Sequence, residues 1–106
     1  MTRGTWKRRE RVIAADFSTD RTPLSGGASG HTRSDTLHPE LFIEIKGRAS
    51  HAAMRLFDQT AILAKAEGKT PVVALWEPER KGYLLLCRPE DIAQVAESLA
   101  YTNQET

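Results

Sequence analysis

Ser34-Asp35-Thr36-Leu37-His38-Pro39-Glu40-Leu41-Phe42-Ile43-Glu44-Ile45-Lys46 is the stretch on which the reading of this chain turns. From Leu41 to Lys46 the residues alternate, with Leu41, Ile43 and Ile45 on one side and Phe42, Glu44 and Lys46 on the other. A period of two is that of a half-buried β-strand, so a strand is predicted over 41–46 with Glu44 and Lys46 sharing a face. His38-Pro39 is the expected centre of a turn before it. A loop of two or four residues there places Asp35 on the face of Glu44 and diagonal to it, whereas a loop of three places it on the opposite face.

Two carboxylates brought together repel unless a cation lies between them. Oxygen donors suit Mg²⁺ or Mn²⁺, which keep several waters, and a bound water of lowered pKa can attack a phosphodiester. Lys46 is placed to orient that water or to offset charge gathering on the phosphate. The plainer reading of the same residues is an exposed Glu-x-Lys on a solvated strand face.

An acid, a variable gap and Glu-x-Lys together resemble the core motif of the PD-(D/E)xK nuclease superfamily. Here the motif reads Ser34-Asp35, eight further residues, then Glu44-Ile45-Lys46, with Ser34 where the family carries proline. Gly4, Glu10-Arg11 and the serine before the acid extend the likeness to small Holliday-junction resolvases of archaeal and phage type, over about residues 4–73. The resemblance implies an α/β fold of the restriction-endonuclease-like sandwich kind, a mixed β-sheet flanked by helices. It implies a metal-dependent endonuclease that cuts four-way DNA junctions symmetrically as a homodimer. Glu10, Asp35 and Glu44 would hold one or two Mg²⁺ ions together with the carbonyl of Ile45, and Mn²⁺ would substitute. Lys46 would assist the attacking water, Ser34 would help order the site, and Gln59 on a later helix would support it. Two other readings stand beside this one: a nuclease of the same fold acting on other DNA structures, and a nucleic-acid-binding module without chemistry.

A chain of 106 residues, 40% of them hydrophobic, is expected to form one domain around one core. Its net charge of +1 excludes a strongly cationic protein, yet Arg3, Lys7, Arg8, Arg9 and Arg11 crowd the N-terminus. Phosphate contacts are therefore expected from local groups: Lys7, Arg8 and Arg11 on the first helix, and Arg21, Arg33 and Arg48 around the motif. A solvated basic helix face is the competing reading. The single cysteine, Cys87, excludes an intramolecular disulfide and a multi-cysteine zinc site, which fits a reducing cytoplasm, and the resemblance implies a microbial or phage-encoded protein. No apolar stretch approaches the roughly 18 residues of a membrane span. His31, His38 and His51 are too dispersed for a zinc motif, and no Gly-x-Ser-x-Gly elbow occurs.

In chain order, a helix is predicted over about 5–15 with Trp6, Ile13 and Phe17 on one face and Glu10 among them. An acid on a core-facing stripe needs a cation or a donor. Helical geometry alone favours an edge position, solvated or paired with a neighbouring arginine, and only the resemblance makes Glu10 a ligand. Residues 18–31 read as a flexible loop or interrupted hairpin turning at Gly26-Gly27 with short strands on either side. Ser50 is the predicted N-cap of a helix reaching about 67, with Ala53, Leu56, Phe57, Thr60, Leu63 and Ala64 inward and Gly68 as its stop. On the plainer reading Gln59 is a boundary residue of that helix. Pro71–Trp76 reads as a strand buried on both faces, paired across a turn at 77–82 with a second strand over 83–87. Pro89 opens a last helix with Ile92, Val95, Ala96 and Leu99 inward, and the tail over 101–106 is polar.

Overall fold

The computed structural model describes residues 3–23 and 32–100, so the Gly26-Gly27 turn, His31 and the polar tail lie outside the described residues. The chain divides into two compact units, Met1–Ala49 and Ser50–Thr106.

In the first unit, helix α1 (Arg3–Asp16) turns Trp6, Glu10, Ile13 and Ala14 inward, at the spacing of a single helical face. Ala14 is completely buried. Phe17, expected on that stripe, is 43% exposed because the helix stops one residue before it. The stop is a Schellman closure: Thr19 N–H donates to the Ala14 carbonyl at 3.0 Å and Ser18 N–H to that of Ala15 at 2.9 Å, with Ser18 at φ 57°. Trp6 lies against Gly47, where a Cβ would fall 2.5 Å from Cζ3 of the indole. Only glycine lets α1 approach the backbone that follows Lys46 this closely.

The turn of the hairpin expected around residues 18–31 lies outside the described residues; of its first arm, Arg21 forms an antiparallel bridge with Thr36. Thr22 N–H donates to the Asp35 carbonyl at 3.0 Å and Leu37 N–H to that of Asp20 at 2.9 Å. The strand predicted over 41–46 does not form as a regular strand. Its alternation survives over 43–46, with Ile43 half-buried, Ile45 buried, and Glu44 and Lys46 exposed. What is missing is the main-chain ladder. Asp35 N–H reaches the Ile43 carbonyl at 2.9 Å, but the N–H groups of Ile43 and Ile45 go to side chains, the Ser34 hydroxyl and the Asp35 carboxylate. The link from Asp35 to Ile43 is accordingly longer than either loop expected, running from Thr36 through Phe42.

In the second unit, helix α2 (Ala52–Ala66) presents Phe57, Thr60, Ala61 and Ala64 inward, while Leu63 is 68% exposed against expectation. Ser50 is not its cap: the N-cap residue is His51, without a side-chain cap bond, and the Ser50 hydroxyl accepts from Arg55. Gly68 does end it, at φ 67°, with Gly68 N–H on the Lys65 carbonyl and Lys69 N–H on that of Ala64. Strands β1 (Val73–Leu75) and β2 (Leu84–Leu86) form a two-stranded antiparallel sheet in the register Val73 to Leu86, Ala74 to Leu85 and Leu75 to Leu84.

The run Pro71–Trp76 is thus not a strand buried on both faces, since Val72 is 37% and Trp76 71% exposed. Two strands of three residues offer too little sheet to cover both faces. A 3₁₀ turn at Pro89–Asp91 leads into helix α3 (Ile92–Ser98). Of its predicted stripe only Val95 is sheltered, while Ile92, Ala96 and Leu99 are exposed. The described sheet is antiparallel, not mixed, and the coarse class is α and β.

Candidate active site

Ser34 is the residue around which the first unit's segments close. Its side chain is almost wholly buried, and its hydroxyl donates to the Ile43 carbonyl at 3.0 Å while accepting Ile43 N–H at 2.9 Å and Thr36 N–H at 3.4 Å. One hydroxyl thus does what a neighbouring strand's peptide would do for both polar groups of Ile43. Thr22 adds a second tie, its buried hydroxyl donating to the Ser34 carbonyl at 2.8 Å. Thr36 completes the cluster, its hydroxyl accepting His38 N–H at 3.3 Å. Among the described residues no buried side-chain polar atom lacks a partner, and such groups hold position because losing a bond there costs about 1–3 kcal/mol.

This cluster delivers Asp35. Its backbone is held on both sides, N–H on the Ile43 carbonyl and carbonyl on Thr22 N–H, and its Oδ2 accepts Ile45 N–H at 2.6 Å. The acid therefore sits at the middle of Glu44-Ile45-Lys46. Glu44 Oε2 and Lys46 Nζ are 2.9 Å apart on the exposed side of the same segment. The bond to Glu44 first, then the Glu44 charge and the Asp35 charge, hold the Lys46 ammonium above its ordinary pKa. Lys46 thus feels the charges of both Glu44 and Asp35.

His38 shapes the connection between the two halves of the motif. Its Nδ1 accepts Glu40 N–H at 3.0 Å and Leu41 N–H at 2.9 Å, so the imidazole serves as the acceptor of an Asx-type turn at Pro39. His38→Asn, which keeps a short acceptor, is expected to preserve the melting temperature of the protein. His38→Ala leaves two amides without their partner and is expected to cost roughly 1 kcal/mol, a value set by exchange of those amides with water. Equal loss in the two variants, read by thermal denaturation, would remove the acceptor role.

Glu10 takes a different partner from the one the resemblance implies. It is buried on α1, and its Oε1 receives both Nε and Nη2 of Arg21 at 3.2 Å. Helical geometry alone favoured an edge position, solvated or paired with a neighbouring arginine; Glu10 does pair with an arginine, but it is buried and the arginine comes from beyond the helix, which engages Arg21 away from phosphate. Among the described residues no three Asp, Glu, His or Cys side chains are grouped to hold a metal ion. Arg21→Ala should strand a buried carboxylate and cost about 1–3 kcal/mol in urea denaturation. Glu10→Gln, which keeps an acceptor for Arg21, should cost less.

The remaining predicted residues separate by exposure. Lys7, Arg8 and Arg11 are exposed on α1, and Arg33 and Arg48 are exposed near the motif. Gln59 is exposed on α2 in the second unit. Thr22, Thr36 and Gly47 were not singled out by motif reasoning. Gly47, next to Lys46, is the one a sequence could have flagged, since glycine beside a chemical motif signals a close approach.

The donor set of Asp35 and Glu44 suits a hard divalent cation in kind, because Mg²⁺ takes one or two carboxylates and completes its shell with water and phosphate. Each acid commits one oxygen to the bonds above, Oδ2 to Ile45 and Oε2 to Lys46. The pair fits the ion, whereas the trio with Glu10 is not assembled. No protein-family model matches the chain, and neither a curated protein nor a solved structure matches it. No helix among the described residues is long and apolar enough to cross a membrane.

Proposed function

We propose that this protein is a metal-dependent DNA endonuclease of the Holliday-junction-resolvase type, built on a restriction-endonuclease-like sandwich and acting as a homodimer. The observation that carries the reading is the Asp35 carboxylate lying on the main chain of Ile45, between Glu44 and Lys46. Two acids and a lysine on one short segment and its neighbour are the residue types that metal-assisted phosphodiester hydrolysis asks of a protein.

Asp35 and Glu44 would hold Mg²⁺, with the Ile45 carbonyl beside them, and the bound ion supplies Lewis acidity and a water of lowered pKa. The chain's own part is positioning and charge. Ser34 and Thr22 fix Asp35 against Ile43 and Ile45, so the acid needs no rearrangement to serve. Lys46 acts as an ammonium that offsets charge on the phosphate, not as a base, because both acids favour its protonated form. The exposed cations of α1, Lys7, Arg8 and Arg11, with Arg33 and Arg48, supply phosphate contacts.

Lys46→Arg is expected to keep a large part of the cleavage rate and Lys46→Gln little of it, in single-turnover assays. A raised folded pKa means the charge is fully present below the ordinary lysine value and lost only as pH rises above it. No alkaline decline between pH 7 and about 10 should therefore trace to Lys46. The reading as a whole is tested by incubating labelled duplex, single strand, flap and four-way junction with the protein, in Mg²⁺ and in EDTA. Cleavage in EDTA, or none of any substrate in Mg²⁺ or Mn²⁺, would remove it.

A further inference from the structure

The second unit carries an aromatic surface that the proposed chemistry does not use. Carried one step outward from Leu75 and Leu84, the register of the β-hairpin sets Trp76 opposite Tyr83 at its mouth. Both rings are open to solvent, Trp76 at 71% and Tyr83 at 45%, and Leu84 beside them is 65% exposed. Together with Glu77, Arg80 and Lys81 they line a groove of about 320 Å³. The connecting turn is held by Arg80 N–H on the Glu77 carbonyl and reverses through Glu79 and Gly82, at φ 70° and 73°.

The charges decide what such a groove suits. Glu77 is answered by Arg80, whose Nη1 lies 3.1 Å from Oε1, so the balance of the lining is the positive charge of Lys81. An indole and a phenol ring in one groove offer flat faces, and a cation lines the same groove. Flat rings with an adjacent cation are the elements by which proteins stack unpaired bases and neutralise the phosphates joining them. A buried protein core would want the rings without the lysine, and a duplex presents no base face to stack.

We infer that the Trp76–Tyr83 hairpin is a binding site for single-stranded nucleic acid, taking an unpaired base between or upon its rings and a backbone phosphate at Lys81. The site rests on the nucleic-acid reading of the protein but not on its acids, so it binds without metal and without cleavage. In a nuclease it would hold a strand freed from pairing.

The test is a titration with a thymidine oligonucleotide of about 15 nucleotides in EDTA, followed by tryptophan emission. Trp6→Phe leaves Trp76 as the single reporter. If that variant loses α1 helicity by circular dichroism, the difference between wild type and Trp76→Phe gives the same signal. Free protein is expected to show solvent-exposed Trp76 emission, which the oligonucleotide quenches and a duplex of the same sequence does not. Trp76→Ala and Tyr83→Ala should each weaken binding between about fivefold and a hundredfold. Lys81→Gln should lower the slope of log affinity against log salt by about 0.7. Because the titration is read in EDTA by binding alone and the nuclease reading by cleavage in Mg²⁺, failure of the nuclease reading and failure of this site are separately visible. A blue-shifted Trp76 in the free protein, meaning the rings are already covered, would overturn the inference. So would unchanged oligonucleotide affinity in both alanine variants, including the case where Trp76→Ala changes the solution mass and the groove is a protein interface.

Discussion

Asp35→Asn is expected to lose metal-dependent cleavage while DNA binding is kept or tightened. Asparagine is the informative choice because its carbonyl oxygen can still accept Ile45 N–H, the 2.6 Å bond that holds the aspartate in place. Alanine would break that bond as well and confuse a lost ligand with a displaced Glu44-Ile45-Lys46 segment. Loss of an outer-shell partner of a metal ligand already costs about 10–100-fold, so loss of the ligand itself should exceed that. Binding should survive because the phosphate contacts come from cations elsewhere, and removing a negative charge near the substrate lowers repulsion. Single-turnover rates with Mg²⁺, alongside gel-shift affinities in EDTA, separate the two effects. A cleavage rate within a few-fold of wild type would end the assignment of Asp35. Weakened binding with a lowered melting temperature would show instead that its bond to Ile45 is structural.

The sequence was most legible where one residue's chemistry dictated local geometry. Gly68 ends α2 as expected because a left-handed residue is needed there, and glycine is the cheapest to place in it. The period of two over 43–46 did foretell which side chains face outward. It could not foretell that Ser34 and Asp35 side chains would take the place of a strand's peptides, because alternation reports burial and not the identity of hydrogen-bond partners. Asp35 was expected on the face of Glu44 after a turn of two or four residues, yet the connection is longer, shaped by His38, and it brings the Asp35 carboxylate onto the main chain of Ile45.

Burial was read least well. Leu56, Leu63 and Ile92 sit at helical spacings that would serve a core, but α2 and α3 leave them exposed. Apolar periodicity names the face a helix would bury and says nothing of whether a partner covers it. In the first unit the opposite happened: among the described residues Glu10, Thr22, Ser34 and Thr36 are the buried polar groups, and only Ala14 and Ile45 are buried hydrophobic residues. Scales that rank side chains by transfer energy place none of those four inside. They are there because each has its hydrogen bonds made, which a sequence does not display.

The proposed dimer leads to the second large effect, discrimination between a junction and a plain duplex. Each chain carries one Asp35-Glu44-Lys46 group, and a four-way junction has two equivalent strands to cut, so symmetric cutting needs two chains related by a two-fold axis. On a junction both protomers can engage at once, and the second engagement is intramolecular, which strengthens binding by about 10²–10⁴ over a single contact. A duplex too short to reach both sites gains none of this. The expected result is therefore a pair of symmetry-related nicks on a junction with a fixed branch point, the second following the first before the protein dissociates. Duplex of the same sequence should bind more weakly by a factor in that range and be cut correspondingly slowly at sub-saturating protein. Supercoiled plasmid carrying an extruded cruciform makes the order of events visible, since coupled nicks yield linear DNA and uncoupled ones yield nicked circles first. Mixing wild-type chains with Asp35→Asn chains sharpens the test: mixed dimers should nick once and accumulate nicked circles. A monomeric mass under cleavage conditions, or equal rates on junction and duplex, would leave a metal-dependent nuclease and take away the resolvase.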